Sequence, residues 1–278
     1  MSLMVTPFFD FGTNSYTYVV VEPCSRTCAV IDPVLDYDPI TRTTSTERAD
    51  EIVSFVKAND LIVEWLLETH VHADHLSAAR YLKSRFVCAQ TGIGADIRTV
   101  RSLIDPDAPD PELCFDRLLH DGDRIALGHA SGRVLATPGH TPACVSYRFE
   151  DLVFVGDVLF MPDFGSGRCD FPRGDPRVLY QSVQRLLNLP DQTRLFTGHD
   201  YGPGGRPVRY LSTVSEQRTS NIHFGNGADE CAFAHMRTCR DKELDAPALL
   251  DVAVGFNLCG GKASAREAAT VAAAECAA

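Results

Sequence analysis

One stretch of the chain, Thr69-His70-Val71-His72-Ala73-Asp74-His75, brings three imidazoles and a carboxylate together. Imidazole nitrogen and carboxylate oxygen suit zinc, iron or manganese, and a tight turn can aim alternate side chains into one cavity. Three further candidates follow: His140 in Pro138-Gly139-His140, Asp157 after Gly156, and His199 after Gly198. A lone loop histidine is more often a surface or hydrogen-bonded residue than a ligand. Here, however, five of the nine histidines (70, 72, 75, 140 and 199) share one setting, just beyond the end of a short apolar run, and that clustering predicts metal chemistry. His120, His129, His223 and His235 lack the setting and are read as non-ligands.

The elements that must position these groups are legible as punctuation. Apolar runs at 63–67, 134–136, 152–155 and 195–196 each stop abruptly before His70, His140, Asp157 and His199 respectively. Runs of this kind, bounded by turn residues, predict strands. In layered α/β sheets, ligand sites collect at the carboxyl ends of neighbouring parallel strands, which would bring the candidates to one edge. Residues 4–31 read as further short strands, Tyr16-Thr17-Tyr18-Val19-Val20-Val21 above all. Thr44-Ser45-Thr46-Glu47 offers a capping box for an amphipathic helix that carries Ala49, Ile52, Val53 and Val56 and runs to Asn59. Helices are also expected over 76–85 and 176–189, the latter opened by Pro176. The predicted class is α/β, with one domain over 4–224 and a carboxyl-terminal extension over 225–278 packed on it. That extension ends in an Ala-rich tail from 263, either helical or frayed.

Composition narrows the function. The chain has 278 residues, 45% hydrophobic and 23% charged, which is globular rather than disordered or fibrous. A net charge of -11 repels phosphate backbones and anionic lipid, so nucleic-acid and membrane partners are disfavoured. No apolar run approaches the roughly 18 residues of a membrane helix, and the amino end lacks a basic segment followed by an apolar stretch, so a cytoplasmic location is expected. The ten cysteines are scattered, which reads as reduced thiols; Cys24 and Cys28 form a close pair that no second pair completes into a metal site. Met1-Ser2-Leu3-Met4 has a second methionine close behind the first, and the first three residues are set aside as a leader.

HxHxDH at His70 to His75, followed by His140, Asp157 and His199 in that order, resembles the metallo-β-lactamase superfamily over roughly residues 4–224. The resemblance implies an αββα sandwich of two mixed sheets with outer helices and a metal site at one edge. It further implies that His70, His72 and His140 can form one site and Asp74, His75 and His199 a second, with Asp157 bridging. Using His70, His140 and Asp157 alone gives two histidines and one carboxylate on a face, the arrangement that leaves iron(II) open positions.

Further stretches resemble the persulfide dioxygenases, also called sulfur dioxygenases, which oxidise glutathione persulfide to sulfite and glutathione. Ala73 stands before Asp74 where glyoxalase II enzymes usually carry a bulky aromatic, and Gly167-Arg168-Cys169-Asp170-Phe171 is similar to the family's Gly-Arg-Thr-Asp-Phe. His199-Asp200-Tyr201 and Ser212 to Arg218 with Asn221 also fit. The resemblance implies one Fe(II) on His70, His140 and Asp157, with His72, Asp74, His75 and His199 as a second metal site or supporting groups. Arg168 and Tyr201 would bind the glutathione moiety, as a guanidinium fork and a directional phenol can. Arg168 has a structural alternative, pairing with Asp170 or a loop carbonyl, and Tyr201 has one in packing. Arg218 reads as structural.

Met161-Pro162-Asp163-Phe164 lengthens the segment after Asp157, and Ser166 stands where many relatives have Cys. These features, with the extension past the core domain, resemble a bacterial branch of β-lactamase-like hydrolases as far as about Gly261. Cys169 reads as a packed thiol rather than a redox group. The competing functions are a dinuclear thioesterase of the glyoxalase II type, with Zn(II) as the alternative metal at one or two per chain, and a non-catalytic metal or thiol sensor. A homodimer is the assembly that the resemblance implies.

Overall fold

Along the run 15–22, alternate residues enter two different cores: Tyr16, Tyr18 and Val20 on one side, Val19 and Val21 on the other. Side chains alternate across a strand, so this is the signature of a strand buried on both faces. The computed structural model describes residues 2–262 and extends that pattern through the chain. The Ala-rich tail from 263 lies outside the described residues.

The first half contains β1 (Met4–Asp10), β2 (Ser15–Glu22), β3 (Thr27–Ile31), β4 (Val34–Asp38), β5 (Thr43–Ser45), α1 (Glu47–Ala58), β6 (Ile62–Leu67), β7 (Leu76–Ser77), α2 (Ala79–Arg85), β8 (Gln90–Gly94), α3 (Ile97–Ile104), α4 (Pro111–Cys114) and β9 (Arg117–Leu119). The second contains β10 (Arg124–Leu127), β11 (Ala130–Ala136), β12 (Val145–Phe149), β13 (Leu152–Gly156), α5 (Pro176–Leu187), β14 (Arg194–Thr197), β15 (Leu211–Thr213), α6 (Val214–Ser220), α7 (Glu230–Asp241) and α8 (Leu250–Leu258). Two six-stranded sheets form, in the orders β1-β2-β3-β6-β8-β9 and β10-β11-β12-β13-β14-β15, with a three-stranded sheet β5-β4-β7 at the margin. Both large sheets are mixed: β3, β6, β8 and β9 pair in parallel, as do β13 and β14, and the remaining pairs are antiparallel.

The sheets stack on a core of Tyr18, Ile31 and Leu67 from one and Tyr147, Phe154 and Phe196 from the other. Ile52 and Val56 of α1 and Leu82 of α2 cover the outer face of the first sheet. Leu179, Val183 and Leu186 of α5, with Phe233 of α7, cover the second. The result is the expected helix-sheet-sheet-helix layering, plus the small third sheet that sequence reading did not anticipate. Among the described residues no helix is long and apolar enough to cross a membrane.

Several local expectations change. The capping box at Thr44 does not form, because Thr44 and Ser45 are committed to the ladder with Tyr37 and Asp36; the helix starts after Thr46, whose hydroxyl donates to Asp50 at 2.8 Å. Leu76 and Ser77 are strand rather than helix, paired with Leu35 and Val34. The helix from Pro176 stops at Leu187, and its first turn is capped by Asp175, which accepts from the Arg177 and Val178 amides; a cap of this kind contributes about 1 kcal/mol. Leu3, set aside as leader, is buried in the core between the sheets.

Candidate metal centre

β11 and β13 both run antiparallel to β12, and β14 is parallel to β13, so the carboxyl ends of all three reach the same edge. His140, Asp157 and His199 leave from those ends, and His70 leaves from the carboxyl end of β6 in the facing sheet. The edge is stitched across the two sheets, since the Tyr16 amide donates to the Gly198 carbonyl at 2.8 Å. Gly156 makes the turn that delivers Asp157: its φ is +51°, and a Cβ there would meet the Thr69 hydroxyl at 2.4 Å. A residue without a side chain is therefore required.

The imidazoles are oriented by what their second nitrogen bonds. His140 Nδ1 lies 2.6 Å from the Arg168 carbonyl, His75 Nδ1 3.1 Å from the Leu76 carbonyl and His199 Nδ1 3.2 Å from the Asn14 carbonyl. A carbonyl only accepts, so each Nδ1 carries hydrogen and each Nε2 can offer its lone pair to the cleft. His70 Nδ1 lies 3.0 Å from the Thr69 hydroxyl, whose own hydrogen goes to Asp32 at 2.8 Å, which leads to the same result. His72 is reversed: its Nε2 faces Asp32 at 3.1 Å and Glu68 at 3.2 Å, and its Nδ1 is buried without a hydrogen-bond partner. Burial opposes charge on this ring, but the Asp32 and Glu68 carboxylates outweigh it and raise its pKa; a metal ion on the unpartnered Nδ1 would take the place of that positive charge.

Ligand atoms of His70, His140 and Asp157 lie within 4.8 Å of one another, and so do those of His72, Asp74 and His75. His199 Nε2 is 3.3 Å from Asp157 Oδ1 and 3.4 Å from Asp74 Oδ2, between the two groups. Burial and the neighbouring imidazoles hold His70 well below the ordinary histidine range, and burial brings His75 to about 4, so both are neutral ligands near pH 7. Burial works against charge on His199, but the Asp157 and Asp74 carboxylates outweigh it and raise its pKa. Positive charge, as a proton or a cation, belongs between those carboxylates. The donor set fits a metal centre, with the unpartnered His72 Nδ1 and Asp157 Oδ1 as the deciding features.

A cleft of about 690 Å³ opens over this edge, lined by Asp74, His75, His140, Asp157 and His199 and continuing to Tyr37, Tyr201 and Leu249. That volume falls in the range of small-molecule sites, roughly 300–1,000 Å³. Arg168 lines the cleft, but its guanidinium is bonded to both Asp170 oxygens at 2.6 and 2.5 Å and to the Asp245 carbonyl at 2.8 Å. Tyr201 is 47% exposed, stacked on Phe164 at 4.8 Å and on His199 at 5.9 Å. The Met161 to Phe164 segment thus reaches the cleft through Phe164, and Arg206 ties it to the His199 loop by pairing with both Asp163 and Asp200. Arg218 bonds the Leu187 and Leu189 carbonyls at the end of α5, the structural role expected of it. His120, His129, His223 and His235 stand outside the metal-capable groups found among the described residues.

Sequence reasoning missed Asp32, Thr69 and Asn257. Asp32 did carry a signal, a carboxylate ending the apolar strand β3, the same punctuation that marked the ligands. Asn257 carried none: it is a polar residue in the apolar helix α8, and its amide nitrogen donates to the His72 and His75 carbonyls at 2.9 and 2.8 Å while its oxygen accepts from the Ser77 amide at 2.8 Å.

The family model described as metallo-beta-lactamase superfamily matches residues 11–199. The chain belongs to the metallo-β-lactamase superfamily. Within it, the chain is 45% identical to a probable metallo-hydrolase of Burkholderia pseudomallei over 94% of both chains. It is 41% identical to glyoxylase B2 of Dictyostelium discoideum, over 90% of this chain and 88% of that one. It is 30% identical to the mitochondrial persulfide dioxygenase ETHE1 of Bos taurus, over 93% of this chain and 89% of that one. Some relatives are longer: the chain spans 62% of a beta-lactamase hydrolase-like protein of Xylella fastidiosa. The crystal structure of ETHE1 from Myxococcus xanthus superimposes with a TM-score of 0.76 at 31% identity, covering 93% of this chain and all of that one. These similarities support the subgroup of persulfide dioxygenases and β-lactamase-like hydrolases.

Proposed function

We propose that the protein is an iron(II)-dependent persulfide dioxygenase that converts glutathione persulfide, dioxygen and water into glutathione, sulfite and protons. The observation that carries this reading is the convergence of two imidazoles and one carboxylate, His70, His140 and Asp157, on a point facing an open cleft. Iron(II) held by these three would offer open positions to a thiolate sulfur and to dioxygen. The terminal sulfur gives up four electrons and dioxygen takes them, so no further oxidant is needed. The chain supplies orientation and electrostatics. Ala73 leaves room at the cleft floor, and Arg168 and Tyr201 are the groups we assign to the glutathione moiety. The free thiols of Cys28, Cys144 and Cys169 fit a reducing compartment, and the cytoplasm is the compartment we propose.

A second reading rests on a separate observation. Asp74 and His75 share a second metal-capable group with His72, and His199 Nε2 lies 3.4 Å from Asp74 Oδ2 and 3.3 Å from Asp157 Oδ1. That arrangement favours two metals and hydrolysis of an S-acylglutathione thioester. The test is oxygen uptake by anaerobically iron-loaded protein given glutathione persulfide, with sulfite measured in the same sample. Uptake matched by sulfite supports the dioxygenase. No uptake at confirmed iron occupancy, together with thioester cleavage by the zinc-loaded protein, overturns it in favour of the hydrolase.

A further inference from the structure

The loop Ser166 to Cys169 touches two of the three proposed iron ligands. The Arg168 carbonyl accepts from His140 Nδ1 at 2.6 Å, and Gly167 presses so closely on Asp157 that a Cβ would lie 2.1 Å from the Asp157 carbonyl. Behind the loop stands a charged pair on α7. Arg237 is 2% exposed and Asp241 is 6% exposed, and they meet at 2.5 Å. Asp241 Oδ2 accepts from the Cys169 amide at 2.8 Å, and an Arg237 terminal nitrogen donates to the Ser166 carbonyl at 3.3 Å. The two bonds grip the loop on either side of Gly167 and Arg168.

We infer that Arg237 and Asp241 are positioning residues for the metal centre, holding His140 in the Nδ1–H form with Nε2 aimed at the cleft. The inference rests on the reading of His140 as a metal ligand. A helix needs no buried ion pair to stay docked, because apolar residues of similar volume commonly hold such a surface as well or better. Arg237 Nε moreover has no partner, so the pair is imperfectly satisfied as a stabilising device. What the pair supplies, and apolar side chains cannot, is an acceptor for the Cys169 amide and a donor for the Ser166 carbonyl. Those bonds fix the peptide whose oxygen orients His140. Outer groups of this kind typically change metal affinity by about 10–100-fold when lost.

The test compares cobalt(II) affinity, the visible absorption of the cobalt-loaded full chain, and thermal stability across four proteins. Arg237→Met combined with Asp241→Leu removes both charges, and is expected to keep its melting temperature while cobalt affinity falls about tenfold or more with an altered absorption band. Asp241→Asn retains an oxygen for the Cys169 amide but strands the Arg237 charge; its expected result is the reverse, a lowered melting temperature with near wild-type affinity and spectrum. If both variants lose affinity only in proportion to stability, the role is merely structural and the inference fails. His140→Ala is the control for the underlying reading. Loss of cobalt from it, with the double variant unaffected, overturns the positioning role alone, whereas wild-type binding by His140→Ala overturns the ligand assignment itself.

Discussion

His72 Nε2 faces Asp32 at 3.1 Å, which leaves Nδ1 as the ring nitrogen without a partner. That one contact decides which nitrogen the histidine offers. Asp32 also accepts from the Thr69 amide at 2.7 Å and the Thr69 hydroxyl at 2.8 Å, so one carboxylate sets the start of the whole ligand loop. It does so from a backbone of φ +51°, uncommon for a residue with a side chain and tolerated best by Asn and Asp.

Asp32→Ala is therefore expected to cost both stability and metal. Buried donors left unmatched cost about 1–3 kcal/mol each, and Asp32 is only 4% exposed, so water cannot substitute freely. Urea denaturation of the metal-free protein reads the first loss, and a competition titration with zinc reads the second. Unchanged zinc affinity would remove Asp32 from the support of the site.

The parts of this arrangement that sequence could reveal are those where one residue type reports its own environment. A histidine or aspartate that ends an apolar strand announces an edge, and four such edges located His70, His140, Asp157 and His199. The β-branched and aromatic run from Tyr16 to Val21 announced a strand, and its burial on both faces came from the structure. What escaped were contacts between residues distant in the chain. Asn257 meets His72 and His75 across more than 180 positions, and nothing in its neighbourhood foretells two carbonyls waiting there. The capping box at Thr44 failed for a similar reason, since pairing with β4 took the backbone that the local pattern assigned to a helix.

The metal count distinguishes the two functional readings through a pair of variants. His140→Ala removes a ligand in either case, and is expected to lose bound metal and activity together. His199→Ala is expected to retain one iron per chain and measurable oxygen uptake, because His199 lies outside the His70, His140 and Asp157 group. Metal analysis with oxygen-electrode assays checks both. Two metals in the wild-type protein, falling to one in His199→Ala with loss of thioester cleavage, would favour the dinuclear hydrolase.

Arg168 contributes through two separable parts. Its carbonyl orients His140 and survives any side-chain substitution, whereas its guanidinium lines the cleft. Arg168→Ala should then raise the Michaelis constant for a glutathione substrate about tenfold, the worth of one charged hydrogen bond, and leave metal content intact. Steady-state kinetics with metal analysis gives the split. An unchanged Michaelis constant would confine the guanidinium to its bonds with Asp170 and Asp245.

His223 provides a pH dependence independent of the metal ligands. Burial, then the charges of Arg237 and Arg240, lower its pKa from 6.5 to about 4. Its Nδ1 meets the Ser166 hydroxyl at 3.2 Å, and its ring packs near Phe233. Between about pH 6.5 and pH 4 the unfolded chain takes up a proton here that the folded chain refuses. Stability from this group is therefore complete above pH 6.5 and declines as pH falls toward 4, since stability rises with pH wherever the unfolded state binds more protons. His223→Asn keeps a polar side chain for Ser166 but cannot titrate. Urea midpoints of the metal-free proteins at pH 7 and pH 5 should fall more for wild type than for the variant, the other titrating groups being common to both. Equal falls would mean that protonation of His223 is not resisted by the fold.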